Sequence, residues 1–455
     1  MIVFNPVVVS VALVLMMCVF RVNVVIALTT GALACSLVSG KTVSEAVSLF
    51  SSTFSEGLGG GAKIAVSYAI LGAFASALAH SGVPKFLMEE AARLLHLRSE
   101  KSDGELAVGG GTSSKSAKVI LFSAIGLMSI ACKNVIPVHI AFVPILIPPL
   151  LGIFNAMKVD RRAVACIITF GVIVAYMIVP IGFGEIFLVD ILTHCLRTNG
   201  LEISTNEVVL ALILPVTGMA IGLCIALIRY RRPRNYDDAE VKKIEKDEPL
   251  SKNDLIVSCI AIAAALAVQL AAKNIILGAL AGFLVLSLGG VVRRKDSENV
   301  VANGFKMMSI ISFTMLAAAG FGHVLRASGG ISDIVNWVAD HTTNSKAVAS
   351  FGMLFVGFLI SVGIGSSFST VPIVASVYVP LGIELGFSPA AIVIIVAVSG
   401  ITGDAGSPAS DSTLGPTMGL NADGQHSLIS DTAIPTFLHF TIPVFISGWL
   451  ACFLI

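Results

Sequence analysis

Twelve long apolar runs follow one another along this sequence and dominate what it can fold into. A helix that crosses the hydrocarbon of a bilayer needs about 20 apolar residues. Only 13% of the residues are charged, whereas soluble proteins carry about 25%. The sequence therefore predicts an all-α polytopic membrane protein. The runs lie at residues 5–21, 24–40, 62–80, 118–155, 162–192, 206–229, 255–272, 275–290, 309–326, 347–383, 389–420 and 433–455.

Several other classes of protein are excluded by charge and by motif content. The formal net charge is +1, which leaves no basic face for a nucleic acid. The eight cysteines are scattered without a CxxC pair, so neither a disulfide scaffold nor a zinc site is expected. HExxH and GxSxG are absent, and no pair of catalytic aspartates fits an intramembrane protease. We therefore expect a protein that is not an enzyme. The first run ends in Arg21 without a cleavage site, which predicts a retained first span.

The chain divides into two blocks that resemble each other. A charged linker at 230–254 separates residues 1–229 from residues 255–455. The order of short, long and interrupted runs repeats, and residues fall in step, as in the pair Asn23 and Asn274. Each block is therefore predicted to be one structural repeat.

Two runs in each block are interrupted. The fourth run of each block is broken at 131–139 and at 363–372, which predicts a re-entrant helical hairpin. The fifth run is broken at 179–185 and at 400–412, which predicts two half-helices joined by unwound chain. Each block then has about five transmembrane helices, and this odd number makes the two repeats inverted relative to each other.

Basic residues provide an independent prediction of orientation. With the amino terminus outside, 22 of the 29 Lys and Arg residues fall in cytoplasmic loops and 6 fall outside. Because basic residues concentrate in cytoplasmic loops, this topology is favoured. We predict a multi-pass protein of the plasma membrane, the inner membrane in a bacterium, with a cytoplasmic linker.

The segment Gly403–Thr413 carries most of the candidate chemistry. It places two carboxylates, Asp404 and Asp411, and four hydroxyl side chains on one interrupted helix. Hard cations prefer oxygen ligands, and a carboxylate inside a membrane is costly unless it has a function. The segment predicts a site for Na⁺ at these two aspartates. The alternative is an exposed loop with solvated aspartates.

Residues at the other interruptions complete the candidate site. Lys133 could neutralise Asp404 or Glu185, meet a substrate carboxylate, or extend to water. The small polar residues of the second hairpin free the backbone to approach an ion. The candidate cation or substrate contacts are Asp404, Ser407, Ser410, Asp411, Ser367, Ser369, Thr370, Asn134, Lys133 and Glu185.

The pattern GD-x-x-SP-x-SD-[ST]-T at 403–413 resembles the signature of NhaC-type sodium/proton antiporters of the ion transporter superfamily. This resemblance implies paired re-entrant hairpins, interrupted helices, a moving transport domain and a homodimer. It also implies that Asp404, Ser407, Ser410 and Asp411 contact the cation or substrate. The first repeat departs from the antiporter pattern, with Gly182-Phe183-Gly184-Glu185 in place of a second acidic motif. In this respect the chain is similar to the YuiF-type branch, which is expected to carry amino acids such as histidine.

Two functions remain open at this point. One is a secondary active transporter of the Na⁺/H⁺ antiporter type, which needs a carboxylate that alternates between Na⁺ and H⁺. The other is an Na⁺- or H⁺-coupled symporter for a small amino acid such as histidine, which needs the same ion site and donors for a carboxylate. In both, Na⁺ or H⁺ is the coupling ion, no further cofactor is expected, and the lipid bilayer surrounds the protein. A channel is less favoured, because two unlike half-sites suit alternating access better than a continuous pore.

Overall fold

The computed structural model is helical over most of its length. It describes residues 4–20, 22–39, 42–79, 81, 86, 98–99, 107–108, 115–134, 139–181, 183–239, 252–272, 274–293, 295–334, 337 and 345–454. The acidic part of the linker, the tip at 135–138 and Gly182 lie outside these residues.

The first block contains ten α-helices and two π-helical segments among the described residues. The α-helices are α1 (Pro6–Val19), α2 (Val24–Val38), α3 (Val43–Leu49), α4 (Ser55–Ala79), α5 (Lys115–Asn134), α6 (His139–Ala156), α7 (Arg161–Ile178), α8 (Phe183–Glu185), α9 (His194–Thr198) and α10 (Thr205–Arg229). Phe50–Phe54 joins α3 to α4, and Ile186–Thr193 joins α8 to α9, each as a π-helix. A short antiparallel ladder pairs β1 (Arg98–Ser99) with β2 (Ala107–Val108).

The described part of the second block contains nine α-helices. They are α11 (Lys252–Ala272), α12 (Ile275–Leu288), α13 (Ser297–Ala327), α14 (Lys346–Ile364), α15 (Ser367–Glu384), α16 (Pro389–Ile401), α17 (Asp411–Leu420), α18 (Ile434–Thr436) and α19 (Ile442–Leu454). Two π-helical segments, Leu428–Ala433 and Phe437–Thr441, flank α18, so that Leu428–Leu454 is a continuous helical run.

Seven helical runs of the described chain are long and apolar enough to cross a membrane. They are Ser116–Lys133, Arg161–Ile178, Thr205–Arg229, Lys252–Ala272, Lys346–Ile364, Ser367–Glu384 and Leu428–Leu454. Six apolar helices of 10 to 17 residues accompany them. The all-helical membrane character predicted from composition is thus confirmed.

The interruptions predicted within the fifth run of each block are present. Helix α16 ends at Ile401 and α17 begins at Asp411, while α7 ends at Ile178 and α8 begins at Phe183. The two arms of the second predicted hairpin are longer than a short re-entrant loop requires. Both α14 and α15 have the length of a full span. If a hairpin crosses the membrane twice, the number of crossings in its block stays odd, so the predicted inversion of the two repeats is unaffected.

Two helices from different blocks cross at unusually close range. A Cβ added at Gly72 of α4 would lie 2.4 Å from the carbonyl oxygen of Gly304 in α13. Only glycine permits this approach, which sequence periodicity does not reveal. Helix α13 is also longer than the apolar run predicted at 309–326, because more polar residues before that run form the first turns of the helix. These helices pack beside α17 through Leu414, which shares a hydrophobic core with Leu71.

Candidate functional site

The segment between α16 and α17 is an unwound stretch of chain buried inside the protein. Residues 402–405 and 407–410 are buried, and Gly406 is half-buried. The alternative of an exposed loop with solvated aspartates is therefore wrong for Asp404, whose exposed fraction is 3%. Gly406 has a φ of +105°, a conformation that favours glycine.

Hydroxyl groups of neighbouring helices satisfy the backbone of this segment. The Ser361 hydroxyl accepts a hydrogen bond from the Gly403 N–H at 2.9 Å. The Thr441 hydroxyl donates to the carbonyl of Thr402 at 3.0 Å and also to that of Ala405. Unpaired backbone groups at this depth would each cost several kcal/mol, so these side chains make the interruption stable.

Asp404 accepts three hydrogen bonds from two elements. The Ser367 N–H donates to Oδ1 at 2.9 Å, and the Ser367 hydroxyl donates to Oδ2 at 2.8 Å. The Tyr176 hydroxyl also donates to Oδ2. Ser367 is the first residue of α15, and its N-cap residue Ser366 makes no side-chain cap. The Asp404 carboxylate thus takes the place of a cap, where free N–H groups and the helix dipole stabilise a negative charge.

Asp411 forms an ion pair with Lys133. The ammonium of Lys133 lies 3.3 Å from Asp411 Oδ2, with exposed fractions of 1% for Lys133 and 25% for Asp411. The extension of Lys133 to water, one of the readings of the sequence, is therefore wrong. Asp411 is the first residue of α17, where a negative charge is favourable.

Two aromatic rings lie close to the Lys133 ammonium. It lies 4.5 Å from the ring centroid of Phe183 and 5.7 Å from that of Tyr176. Phe368 contacts both of these rings, and Phe187 packs on Tyr176 at 4.8 Å between centroids. Ring faces attract cations, more strongly where water is excluded.

The two aspartates lie within electrostatic range of each other. Asp404 interacts with the charges of both Asp411 and Lys133. Lys133, Asp404 and Asp411 thus form one charged centre to which both blocks contribute.

The other predicted hydroxyl residues lie nearby but have structural partners. Ser407 donates to the Val362 carbonyl at 2.8 Å, and Ser410 caps α17 by accepting from the Ser412 N–H at 3.2 Å. Thr370 is buried and donates to the Ser366 carbonyl at 2.9 Å. Ser369 is exposed. In the described contacts, none of these four hydroxyls bonds to Asp404 or Asp411.

Glu185 and Asn134 are not brought to the charged centre by any described contact. Glu185 lies in α8 and is exposed. Asn134 is the last residue of α5, directly after Lys133, and its side chain lies outside the described residues.

Tyr176 is the residue of the site that sequence reasoning missed. A tyrosine within the apolar helix α7, less than two turns before an interruption, offers a signal, because a buried hydroxyl usually finds a partner. In the sequence, Phe183 is only the apolar residue of the segment Gly182–Glu185, and nothing there indicates a contact with Lys133. Its position over Lys133 depends on the packing of α8 against α5.

A second buried cluster of charges anchors the opposite end of α17. Arg161, the first residue of α7, donates to the Leu420 carbonyl at 3.0 Å and to both carboxylate oxygens of Asp423 at 2.7 and 2.6 Å. Burial would raise the pKa of Asp423, but the hydrogen bonds and charge of Arg161 outweigh it and lower that pKa. Burial lowers the pKa of the neighbouring His426 to about 4.

The linker contributes to this second cluster. Arg234 donates to Asp431 at 2.7 Å, and the Tyr236 ring lies 4.1 Å from the Arg161 guanidinium carbon. The described beginning of the linker is therefore docked on α7, which also carries Tyr176, and on the π-helical segment Leu428–Ala433.

The arrangement suits a monovalent cation. Asp404, Asp411 and neighbouring hydroxyl or carbonyl oxygens are the hard ligands that Na⁺ prefers. Among the described residues, no group of three or more His, Cys, Asp or Glu side chains is placed to hold a metal ion.

Two family models match the sequence. The model of the Na⁺/H⁺ antiporter family matches residues 167–449, and that of the Na⁺-H⁺ antiporter family matches residues 5–95.

Similar proteins extend over nearly the whole chain. The uncharacterized membrane protein VP2115 of Vibrio parahaemolyticus is 47% identical over 450 residues, 98% of this chain and 99% of the relative. YuiF of Bacillus subtilis, a proposed amino acid transporter, is 42% identical over 404 residues, 88% of this chain and 89% of the relative. The solved structure of MtrF from Neisseria gonorrhoeae superposes with a TM-score of 0.42 and 14% identity, covering 89% of this chain and 84% of that one.

Proposed function

The chain belongs to the Na⁺/H⁺ antiporter family of membrane transporters, and we propose that it exchanges Na⁺ for H⁺ at Asp404 and Asp411. The observation that carries the proposal is the buried Asp404 carboxylate at the interruption between α16 and α17. A buried carboxylate is costly in a membrane unless it binds something, and hydroxyl and N–H donors already orient this one.

Competition for one carboxylate provides the coupling. Asp404 can hold Na⁺ through its oxygens or a proton on one oxygen, but the proton removes the charge that attracts the ion. The site therefore carries Na⁺ in one direction and H⁺ in the other, and never both in the same crossing. Neutralisation of the carboxylate by either occupant lowers the electrostatic cost of the crossing.

Alternating access would use the two predicted repeats. We propose that 1–229 and 255–455 are inverted relative to each other, with the amino terminus outside and the linker cytoplasmic. Residues 118–192 and 347–420 form the moving unit, and the remaining helices form the scaffold. The two interruptions, at matching places in the two blocks, support this division. A homodimer is proposed on family likeness alone.

The direct test uses purified protein in liposomes with a trapped pH-sensitive dye. Addition of Na⁺ outside acid-loaded vesicles should cause alkalinisation of the lumen that depends on the protein. Liposomes without protein, and K⁺ in place of Na⁺, are the controls. A lumen that stays acidic at every Na⁺ concentration would overturn Na⁺/H⁺ exchange.

Two variants locate the site. Asp404→Asn and Asp411→Asn should each abolish Na⁺-driven proton movement while the protein still folds and inserts. Asp190→Asn is the matched control, because this aspartate is exposed on the π-helical segment of the first block. Full Na⁺ dependence in both site variants would contradict the assignment.

A second function is favoured by the likeness to YuiF. In this alternative the same ion site drives uptake of a small amino acid such as histidine, and Lys133 and helix N-termini bind its carboxylate. Radiolabelled amino acids, histidine first, would accumulate in vesicles under a Na⁺ or H⁺ gradient. Accumulation of a labelled amino acid, with no proton movement on Na⁺ alone, would select the symporter.

A further inference from the structure

Lys133 occupies a position that would otherwise suit a free cation. Its ammonium is paired with Asp411 at 3.3 Å and lies over the Phe183 ring, and its side chain is 1% exposed. An ammonium without compensating partners would be expensive at this depth. The surroundings of the Lys133 nitrogen are therefore those of a binding position for a monovalent cation.

This position lies beside the tyrosine that hydrogen-bonds to the other carboxylate of the charged centre. The ammonium is 5.7 Å from the ring centroid of Tyr176, whose hydroxyl donates to Asp404. Asp404 interacts with the charge of Lys133 as well as with that of Asp411. A cation that binds Asp411 through Oδ2 competes with the ammonium for that oxygen.

The ion pair is also of a kind that can open. Lysine offers a point charge on a flexible four-carbon chain, without the planar bidentate grip of arginine. Asp411 is 25% exposed, so that an incoming ion can reach its carboxylate.

We infer that Lys133 is a tethered competitor of the transported cation: it holds Asp411 when the site is empty and is displaced when Na⁺ binds. The inference rests on the proposed function, because it requires a cation to bind at these aspartates. In the absence of Na⁺, the ammonium offsets the charge of Asp411, which lowers the electrostatic cost of the return of the site.

The first test compares the wild type with Lys133→Met, which keeps the length and apolar volume of the side chain but removes its charge. Na⁺ binding is measured on purified protein by the increase in melting temperature during Na⁺ titration. We expect the half-saturating Na⁺ concentration to fall roughly tenfold or more, because a unit charge a few ångströms away is removed. An unchanged half-saturating concentration in folded Lys133→Met would overturn the inference.

Flux measurements give a second readout. In liposomes, Lys133→Met should retain exchange of ²²Na⁺ against internal Na⁺, because the loaded site still crosses. Net ²²Na⁺ movement driven by a proton gradient should fall roughly tenfold or more, because the positive charge of Lys133 then no longer offsets the charge of Asp411 during return. Equal loss of both fluxes would contradict the tethered role.

Phe183→Leu covers the case in which Lys133→Met does not fold. Loss of the ring weakens the hold on the ammonium, so the half-saturating Na⁺ concentration should fall roughly twofold to fivefold. In a double-mutant cycle, Phe183→Leu should add nothing once Lys133 is Met, because the ring acts through the ammonium. A full additional effect in the double variant would overturn the inference.

The same titrations separate the inference from the proposed function. A wild type that responds to Na⁺ with the same midpoint as Lys133→Met would overturn the inference alone. A response to Na⁺ in Lys133→Met but not in the wild type would support the inference, because the Lys133 ammonium would be blocking the site in the wild type. No response to Na⁺ in either protein would overturn both proposals.

Discussion

The Tyr176 hydroxyl and the Asp404 carboxylate, 228 residues apart in the chain, share a hydrogen bond inside the protein. Tyr176 lies near the end of α7 and Asp404 in the unwound segment after α16, so the contact joins the interrupted runs of the two blocks. This hydrogen bond stabilises the charged form of the carboxylate. It also fixes the orientation of Oδ2, which Ser367 shares.

Tyr176→Phe removes this donor and keeps the ring packed on Phe187. We expect the half-saturating Na⁺ concentration for proton movement to rise roughly tenfold to a hundredfold, because a hydrogen bond to a charged group contributes about 1.5–3 kcal/mol. Proton movement in liposomes over a Na⁺ titration checks this. Tyr378→Phe, the same change at another buried tyrosine, is the control. Equal effects of the two changes would refute a specific role for Tyr176.

Gly406 sets the path of the unwound segment. It has a φ of +105°, and an added Cβ would lie 2.6 Å from the Cβ of Phe437. Gly406→Ala should therefore lower the melting temperature and abolish Na⁺-driven flux, with a cost of about 1–2 kcal/mol from backbone strain alone. Gly415→Ala is the matched control, because Gly415 lies nearby in α17 and an added Cβ there would have no atom within 4 Å. It should be neutral or stabilising by about 0.5–1 kcal/mol. Wild-type flux in Gly406→Ala would contradict this prediction.

The interruptions of the helices could be predicted from the sequence because their signals are local. Glycine, proline and hydroxyl residues cluster at 400–412 inside an otherwise apolar run. The burial of Asp404 also followed, since a carboxylate flanked closely by apolar runs has little access to water. These parts of the site require no knowledge of which helices touch.

The partners of the charged groups could not be predicted in the same way. The sequence suggested Asp404 or Glu185 as the protein partner of Lys133, whereas the approach of the end of α5 to the start of α17 pairs it with Asp411. The role of Tyr176 depends equally on the approach of α7 to the unwound segment. The hydroxyl groups of Ser361 and Thr441, which satisfy that segment, are separated from it by whole helices. Such pairings are set by tertiary packing rather than by periodicity.

Asp423 should be important for stability rather than for transport chemistry. Its carboxylate and the Arg161 guanidinium are both fully buried, with a bidentate pair between them. Asp423→Asn leaves the arginine charge unpaired, and we expect a loss of about 3–5 kcal/mol in the free energy of unfolding. Unfolding in detergent under a denaturant gradient measures it.

The matched control is the exposed neighbour of that pair. Arg162 pairs with Asp160 at 2.6 Å, and its side chain is 34% exposed. The Asp160 side chain is 3% exposed but also lies 3.9 Å from Arg234, so it keeps a counter-ion when Arg162 is changed. Arg162→Gln should therefore cost less than about 1 kcal/mol. The double variant Arg161→Met with Asp423→Leu should be more stable than Asp423→Asn, since no buried charge is left. Equal losses for Asp423→Asn and Arg162→Gln would contradict the importance assigned to the buried pair.

His426 predicts a loss of stability in mild acid. Burial lowers its pKa from about 6.5 to about 4, so the folded protein keeps the imidazole neutral while the unfolded chain binds a proton below pH 6.5. The stabilisation is complete above pH 6.5 and is lost as the pH falls towards 4. At pH 5 the loss should approach about 2 kcal/mol. Asp423, whose pKa is held below its usual range, adds to the loss only below about pH 4.

Melting temperatures between pH 7.5 and pH 5 test this assignment. The His426→Gln variant keeps a polar side chain that can bond to Thr432, the partner of the imidazole at 2.8 Å, but cannot titrate. It should be less stable than the wild type at pH 7.5, and its melting temperature should change little down to pH 5. The wild type should approach or fall below it at the acid end. Parallel pH profiles of the two proteins would show that another group titrates in this range, and would exclude His426 as the cause.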